Sequence, residues 1–390
     1  MLLTKGIKSS LQRDLDSFYR EVTDTDFNIR HVTKGAFSRA RAKLNPEAFI
    51  KLSDNANATF YNEAPYWTWY GMRVLSADGS RLVLPKHKSV IEEFGEHGFG
   101  PKADSSRSLA LCSFLYDPLN LVTLDAQMAP YASSERDLLY RHLDKVQPGD
   151  LLLLDRGYPS LALMFQLKAE GIEFCMRMKE DWWLDVKGFA ESGAKEKLVV
   201  FKLPKKDHRL IEKYPELSEE LTFRLICIDL ENGEKEILCT SLTDMDRYAY
   251  SDFSELYHFR WNIEEGYKLF KSRVEVENFS GKTVRAVKQD FYAKVFMMNL
   301  CAILAFPVEE RVRAESEQDK NKHKRKINRT AALSMTSNIS IGLFVKKNIT
   351  GALEAFDNIV TQTLEIIRPN RKFERKKRMK RPYHMNYKRL

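Results

Sequence analysis

Pro148-Gly149-Asp150-Leu151-Leu152-Leu153-Leu154-Asp155 is the stretch on which the fold turns. The Pro-Gly-Asp triplet stops whatever helix precedes it. Four leucines in a row show neither helical nor alternating periodicity over so short a span. They read as a strand covered on both faces, as in the centre of an α/β sheet. An acid directly after such a strand stands where open α/β sheets collect ligands. Downstream, a helix is predicted over about 160–170, ending at Gly171, and Ile172 to Met178 reads as the next strand. Upstream, Ser133-Ser134-Glu135 opens a helix running to about Val146. Before it, Arg73 to Asp78, Arg81 to Pro85, Ser108 to Tyr116 and Leu119 to Met128 are apolar runs of strand character. Asp117-Pro118-Leu119-Asn120 supplies hairpin chemistry between the last two, and a glycine-containing loop is expected between Pro85 and Ser108.

Three strands, a helix, a strand, a helix and a strand is the order of an RNase H-like (retroviral-integrase-like) mixed α/β core. At 390 residues the chain has room for two or three units. Residues 1–65 read as a helical N-terminal DNA-binding region, 66–305 as the core, and 306–390 as a basic C-terminal region ending in a 371–390 tail. Within the core, 181–245 breaks the alternation as a β-rich insertion, with a hairpin signal at Glu231-Asn232-Gly233-Glu234. Near the start, Ser10 opens one amphipathic helix. Thr33 caps a second, which carries Arg39, Arg41 and Lys43 and ends at Asn45-Pro46. That basic helix suits a DNA groove, and equally a solvated face.

The net charge of +9 favours a polyanionic partner. Five cysteines without a C-x-x-C pair speak against a zinc finger. No uninterrupted apolar run of about 18 residues and no signal peptide are seen, so a cytoplasmic protein without membrane association is expected. Ser280-Gly281-Lys282-Thr283 resembles the end of a phosphate-binding loop, but Val276 stands where that loop needs glycine, and ATP binding is rejected.

The segment richest in chemistry is Tyr257-His258-Phe259-Arg260-Trp261-Asn262-Ile263-Glu264-Glu265-Gly266-Tyr267-Lys268-Leu269-Phe270-Lys271. On one continuous helix, Tyr257, Arg260, Glu264 and Lys271 would share a stripe, beside an apolar stripe of Leu256, Phe259, Ile263 and Phe270. Ordinary i,i+4 pairing explains Arg260 and Glu264, but neither the tyrosine nor the distant lysine.

This segment resembles, without a gap, the Y-x-x-R-x-x-x-E-x-x-x-x-x-x-K signature of DDE transposases of the insertion-sequence-four family. Asp78-Gly79-Ser80 with Leu82-Val83-Leu84-Pro85 resembles the family's first-aspartate block. Leu153-Leu154-Asp155-Arg156-Gly157-Tyr158 resembles its second, and Phe37 to Phe49 its N-terminal region. Taken singly, Asp78-Gly79 also reads as a hairpin turn and Asp155 as a backbone cap. The resemblance implies that Asp78, Asp155 and Glu264 are catalytic and hold two Mg²⁺ ions (Mn²⁺ as a substitute). It implies that Tyr257, Arg260 and Lys271 contact DNA-end phosphates. It also implies terminal inverted repeats and target DNA as partners, with a homodimer on paired ends and cut-and-paste chemistry. The competing expectations are a stand-alone metal-dependent nuclease on the same core, and a catalytically silent DNA-binding relative.

Overall fold

A computed structural model describes residues 1–7, 9–99, 105–207, 209–230, 233–318 and 323–368. The expected basic tail at 371–390 lies outside the described residues, as does Asn232 of the hairpin signal. The chain divides into two compact units, Met1–Ala64 with Arg81–Ala110 and Lys268–Leu390, and Pro65–Ser80 with Leu111–Tyr267. The break at Ala64 falls beside the sequence boundary at 65, whereas the first unit runs on through 305.

In chain order the elements begin with helices α1 (Leu2–Lys5), α2 (Leu11–Thr23), α3 (Lys34–Arg41) and α4 (Glu47–Glu63). Strand β1 (Val74–Leu84), helix α5 (Lys88–Phe94), and strands β2 (Glu96–Phe99), β3 (Ser105–Asp117) and β4 (Val122–Pro130) follow. Then come α6 (Glu135–His142), β5 (Leu151–Leu154), α7 (Leu161–Ala169) and β6 (Glu173–Met178). The insertion supplies α8 (Leu184–Ser192), β7 (Glu196–Lys202), α9 (Arg209–Lys213), β8 (Glu220–Asp229) and β9 (Lys235–Thr240). The chain closes with α10 (Asp252–Phe259), α11 (Asn262–Ser272), α12 (Val284–Gln318), α13 (Arg329–Phe344) and α14 (Ile349–Gln362).

In the second unit, β4 pairs β3 and the order runs on β3-β1-β5-β6-β9-β8-β7. β1, β5 and β6 are parallel neighbours, and β6 meets β9 antiparallel. The segment β4-β3-β1-β5-β6 has the strand order of an RNase H-like core, as the sequence led one to expect. All four leucines of β5 are buried, because neighbours on both edges and layers on both faces leave them no water. The β3–β4 turn is held by Asp117, whose Oδ1 accepts the amides of Leu119 and Asn120, both at 2.9 Å. The β-rich insertion is not a separate layer. Its strands extend the core sheet through the β6–β9 pairing, with apolar residues of β8 and β9 almost wholly buried.

Three local expectations change. Asp78-Gly79 is no turn, for β1 runs through it unbroken. The stretch expected as a loop after Pro85 holds α5 and β2, the latter paired with β3 in the first unit. The long signature helix is two helices, α10 and α11. Around Arg260 and Trp261 the amides reach back three residues instead of four (Arg260 N to Tyr257 O, Trp261 N to His258 O), which tightens and breaks the ladder.

In the first unit, Thr33 Oγ1 accepts the Ala36 amide and caps α3 as read from sequence. Arg39 and Lys43 are exposed, but Arg41 is turned inward. Its guanidinium pairs with Asp290 at 2.8 Å and donates to Gln289, Ser280 and the Ala286 carbonyl. The positive face of α3 is therefore one arginine smaller than expected. A guanidinium that makes four hydrogen bonds inside the protein is not available to a phosphate without breaking a buried pair. The same ion pair claims Ser280, so the loop-like Ser280-Gly281-Lys282-Thr283 serves structure. Helix α12 contains a window of mean hydropathy 1.7, long and apolar enough to cross a membrane, but 72% of that window is buried inside the protein. It packs against α1, α4 and α13 as a core helix.

Candidate active site

The parallel register pairs Ser76 with Leu153. Two residues further on, Asp78 is still within β1 and Asp155 follows the last residue of β5, and the charge of Asp155 acts on Asp78. Helix α11 reaches the same strands through its own anchors. The Tyr267 hydroxyl donates to the Asp78 carbonyl at 2.8 Å, and its ring stacks on Phe114 at 4.5 Å. Asn262 Nδ2 donates to the Pro118 carbonyl at 2.9 Å. Gly266 lets the helix lie close to β3, since a Cβ there would meet the Tyr116 ring at 3.4 Å. Glu264 lies between these anchors on α11 and meets Arg260.

Tyr257 and Arg260 are both buried. The Tyr257 hydroxyl donates to the carbonyl of Leu154, the last residue of β5, at 3.2 Å. It pins α10 to the strand that presents Asp155. The Arg260 guanidinium lies 3.4 Å from a Glu264 oxygen and over the rings of Tyr257 (5.6 Å) and Trp261 (4.8 Å). Burial works against its charge, yet Tyr257, Asp78, Glu264 and Asp155 together outweigh burial and raise its pKa. Arg260 is thus the counter-charge of the acids. Lys271 Nζ donates to the Arg81 carbonyl at 2.7 Å.

Burial pushes the Asp78 carboxyl up to about 7, and the charges of Glu135 and Asp155 add to this. The Gly79 amide, 2.8 Å from Asp78 Oδ1, and Arg260 oppose it. Asp155 is half-exposed and accepts the Gly157 amide at 2.7 Å. Among the described residues no three His, Cys, Asp or Glu side chains stand together as a ready metal-binding group. The donor set nonetheless fits a hard divalent cation. Mg²⁺ takes one or two carboxylates and completes its shell with water and substrate phosphate, so no closed protein cage is required. A carboxylate raised by burial and by neighbouring acids, as Asp78 is, is one that a cation would relieve.

Sequence reasoning missed several residues here. Asp125 Oδ2 lies 2.7 Å from His142 Nδ1, His142 Nε2 lies 2.9 Å from Ser113 Oγ, and Ser113 donates to the Asp78 carbonyl at 3.3 Å. The order Asp-His-Ser suggests a nucleophile. Ser113 and His142 are fully buried, however, and the hydroxyl ends on backbone, so the chain holds β1 in place. Tyr158, in the second-aspartate block, is buried beside the acids. Its only sequence signal was membership of that block. Trp182, which stacks on Trp183, is 40% exposed and flanked by Lys179 and Arg136 at 5.1 and 5.6 Å from its ring.

The transposase DDE domain family model matches residues 69–300. The chain is 24% identical over 289 residues to the transposase InsG for insertion sequence element IS4 of Escherichia coli (strain K12), covering 70% of this chain and 61% of that protein. It is 20% identical over 297 residues to the transposase for insertion sequence element IS231E of Bacillus thuringiensis subsp. finitimus, covering 65% and 61%. The chain therefore spans about three fifths of the length of these curated relatives. Among solved structures it is similar to the piggyBac transposase synaptic complex with hairpin DNA (TM-score 0.41, 8% identity, 74% of this chain and 57% of that one). It is also similar to the Mos1 strand transfer complex (TM-score 0.18, 11% identity, 52% and 63%).

Proposed function

The chain belongs to the transposase DDE domain family, in its insertion-sequence-four branch, and from this premise we propose that it is the transposase of a bacterial insertion sequence. On this reading it binds terminal inverted repeats and catalyses metal-dependent strand cleavage and strand transfer by a cut-and-paste route. The observation that carries the reading is the acid group: Asp78 in β1 and Asp155 directly after its parallel neighbour β5, Glu264 on the helix anchored to β1, and all three acting on Arg260.

Asp78, Asp155 and Glu264 are the residues that would hold Mg²⁺, or Mn²⁺ in its place. A bound pair of such ions supplies Lewis acidity to the attacking and leaving oxygens of an in-line displacement at phosphorus. The chain's own part is positioning. The sheet fixes the two aspartates, and Tyr267 and Asn262 fix Glu264. Arg260 holds Glu264 and offsets the negative charge until DNA is engaged. Lys271 and the exposed Arg39 and Lys43 are assigned to DNA phosphates, and Arg260 to the end phosphate nearest the acids.

The reading is tested with linear DNA carrying the inverted repeats that flank the gene, a second duplex as target, and Mg²⁺. Joined product is expected. Cleavage without joining would leave a nuclease, and binding without cleavage a silent DNA-binding relative. Removal of the exposed cations has its own outcome. Arg39→Ala and Lys43→Ala should each lower the slope of log affinity against log salt by about one. Unchanged slopes in both would remove α3 from the DNA surface.

A cytoplasmic protein acting as a dimer on paired ends completes the proposal. Moving an element demands cuts at two ends, while one such site handles one phosphodiester at a time. No long heptad seam offers a coiled coil, so assembly is expected on DNA. Light scattering with end DNA should give two protomers per complex. A single protomer on a single duplex that still joins ends would overturn this part.

A further inference from the structure

A fourth carboxylate stands against the acid group. Glu135 is the first residue of α6, the helix that follows the β3–β4 hairpin. Its side chain lies on the backbone of Gly79, next to Asp78. A Cβ built on Gly79 would come within 2.7 Å of the Glu135 Cδ and 2.8 Å of its Cγ, and would touch Oε1 as well. Gly79 has no left-handed φ to require glycine, so the space taken by Glu135 is what excludes a side chain there. The next residue, Arg136, binds the other aspartate's turn, Nε donating to the Gly157 carbonyl at 2.9 Å and Nη2 to the Pro159 carbonyl at 3.2 Å. The start of α6 is thus fixed between the Asp78 strand and the Asp155 turn.

Two buried polar atoms at this place have no hydrogen-bond partner, Tyr158 Oη and Arg260 Nε. Tyr158 is 1% exposed and Arg260 5%. Both lie within the field of Asp78 and Asp155, and Tyr158 within that of Glu135 also. A phenol and a guanidinium N–H left unpaired at such depth are costly unless something polar visits them. A hydrated cation or a phosphate would bring the oxygens they lack. They are an observation separate from the acids, and they point to a ligand.

We propose that Glu135 is a fourth carboxylate of the Asp78–Asp155–Glu264 centre and helps it recruit the divalent cation. This rests on the proposed reading of that centre. Glu135 comes up to β1 at Gly79 from a different element, near enough for its charge to act on Asp78, and an additional anionic oxygen raises the affinity of a hard cation without filling its shell. The competing role is local: an acid in the first turn of α6 favours the helix dipole whether or not a cation binds.

The test uses the full chain, free of DNA, titrated with Mn²⁺ alone and followed by the electron paramagnetic resonance of the free ion. Glu135→Gln should weaken Mn²⁺ binding about tenfold, the low end of the loss found when a supporting group of a metal site is removed. Gly79→Ala should weaken it similarly by displacing the carboxylate, and should add nothing once Glu135 is already Gln. That second variant keeps the question answerable if Glu135→Gln folds poorly. Wild-type affinity in both variants would overturn the inference, and a lowered unfolding midpoint at wild-type affinity would assign Glu135 to the helix end. Asp155→Asn is the control. If it too binds Mn²⁺ like the wild type, the centre itself has been misread. If it alone loses affinity, only the role of Glu135 fails.

Discussion

Asp155→Ala and Glu264→Ala are each expected to reduce strand cleavage by about a thousandfold or more, with binding to end DNA changed by less than about threefold. The size follows from what the acids are asked to supply. Stabilising the developing charge of an in-line displacement at phosphorus takes several kcal/mol, and each 1.36 kcal/mol is a factor of ten. The separation of cleavage from binding follows from position. Asp155 is held by the Gly157 amide and Glu264 by Arg260, and neither carries a positive charge toward DNA. Removing Glu264 leaves Arg260 without its i,i+4 partner, but Asp78 and Asp155 still act on its charge, so folding should survive. The measurements are single-turnover cleavage in Mg²⁺ and a salt-matched binding curve for the same DNA. Cleavage within tenfold of wild type by either variant would remove that residue from the centre. A variant that lost binding and cleavage together would mean that the acid supports the DNA-facing surface instead.

The parts of this site that were legible in the sequence are those set by periodicity and by contiguous motifs. Leu151 to Leu154 announced a central strand because nothing but burial on both faces tolerates four leucines there. Asp155 stood out as the acid after that strand, and Glu264 through the resemblance of its segment to the family signature. What the sequence did not disclose depends on contacts between distant segments. Nothing in Phe37 to Leu44 tells that Arg41, alone among three cations, meets Asp290 across about 250 positions of chain. The break between α10 and α11 at Arg260 and Trp261 has no glycine or proline to announce it, and the residues are compatible with a continuous helix. Glu135 was visible only as a helix start, because its role depends on Gly79, and Gly79 looked like half of a turn.

The second large effect concerns stability, and its sign runs opposite to activity. Asp78 is expected to cost the cation-free fold stability at neutral pH, so Asp78→Asn should unfold at a higher temperature than wild type at pH 8 while losing cleavage. The pKa of this carboxyl rises from 3.8 to about 7 on folding, through burial first and then the charges of Glu135 and Asp155. Between those two values the folded protein keeps a proton that the unfolded chain has released. Stability therefore falls as pH rises through that window, and the full penalty applies above about 7. At one factor of ten per pH unit the penalty is a few kcal/mol at most. Asparagine keeps the shape and can still accept the Gly79 amide, but it carries no charge to desolvate. The gain should shrink as pH is lowered from 7 toward 4 and vanish below 3.8, where wild-type Asp78 is protonated in both states. Millimolar Mg²⁺ at pH 8 should raise the wild-type midpoint and leave that of Asp78→Asn nearly unchanged, because an ion bound only to the folded state stabilises it by mass action. Thermal unfolding of both proteins at pH 5 and pH 8, with and without Mg²⁺, provides all the comparisons. If Asp78→Asn were the less stable protein at pH 8 without Mg²⁺, the carboxylate would be a structural ion-pair partner. The centre would then have to be built on Asp155, Glu264 and Glu135 without it.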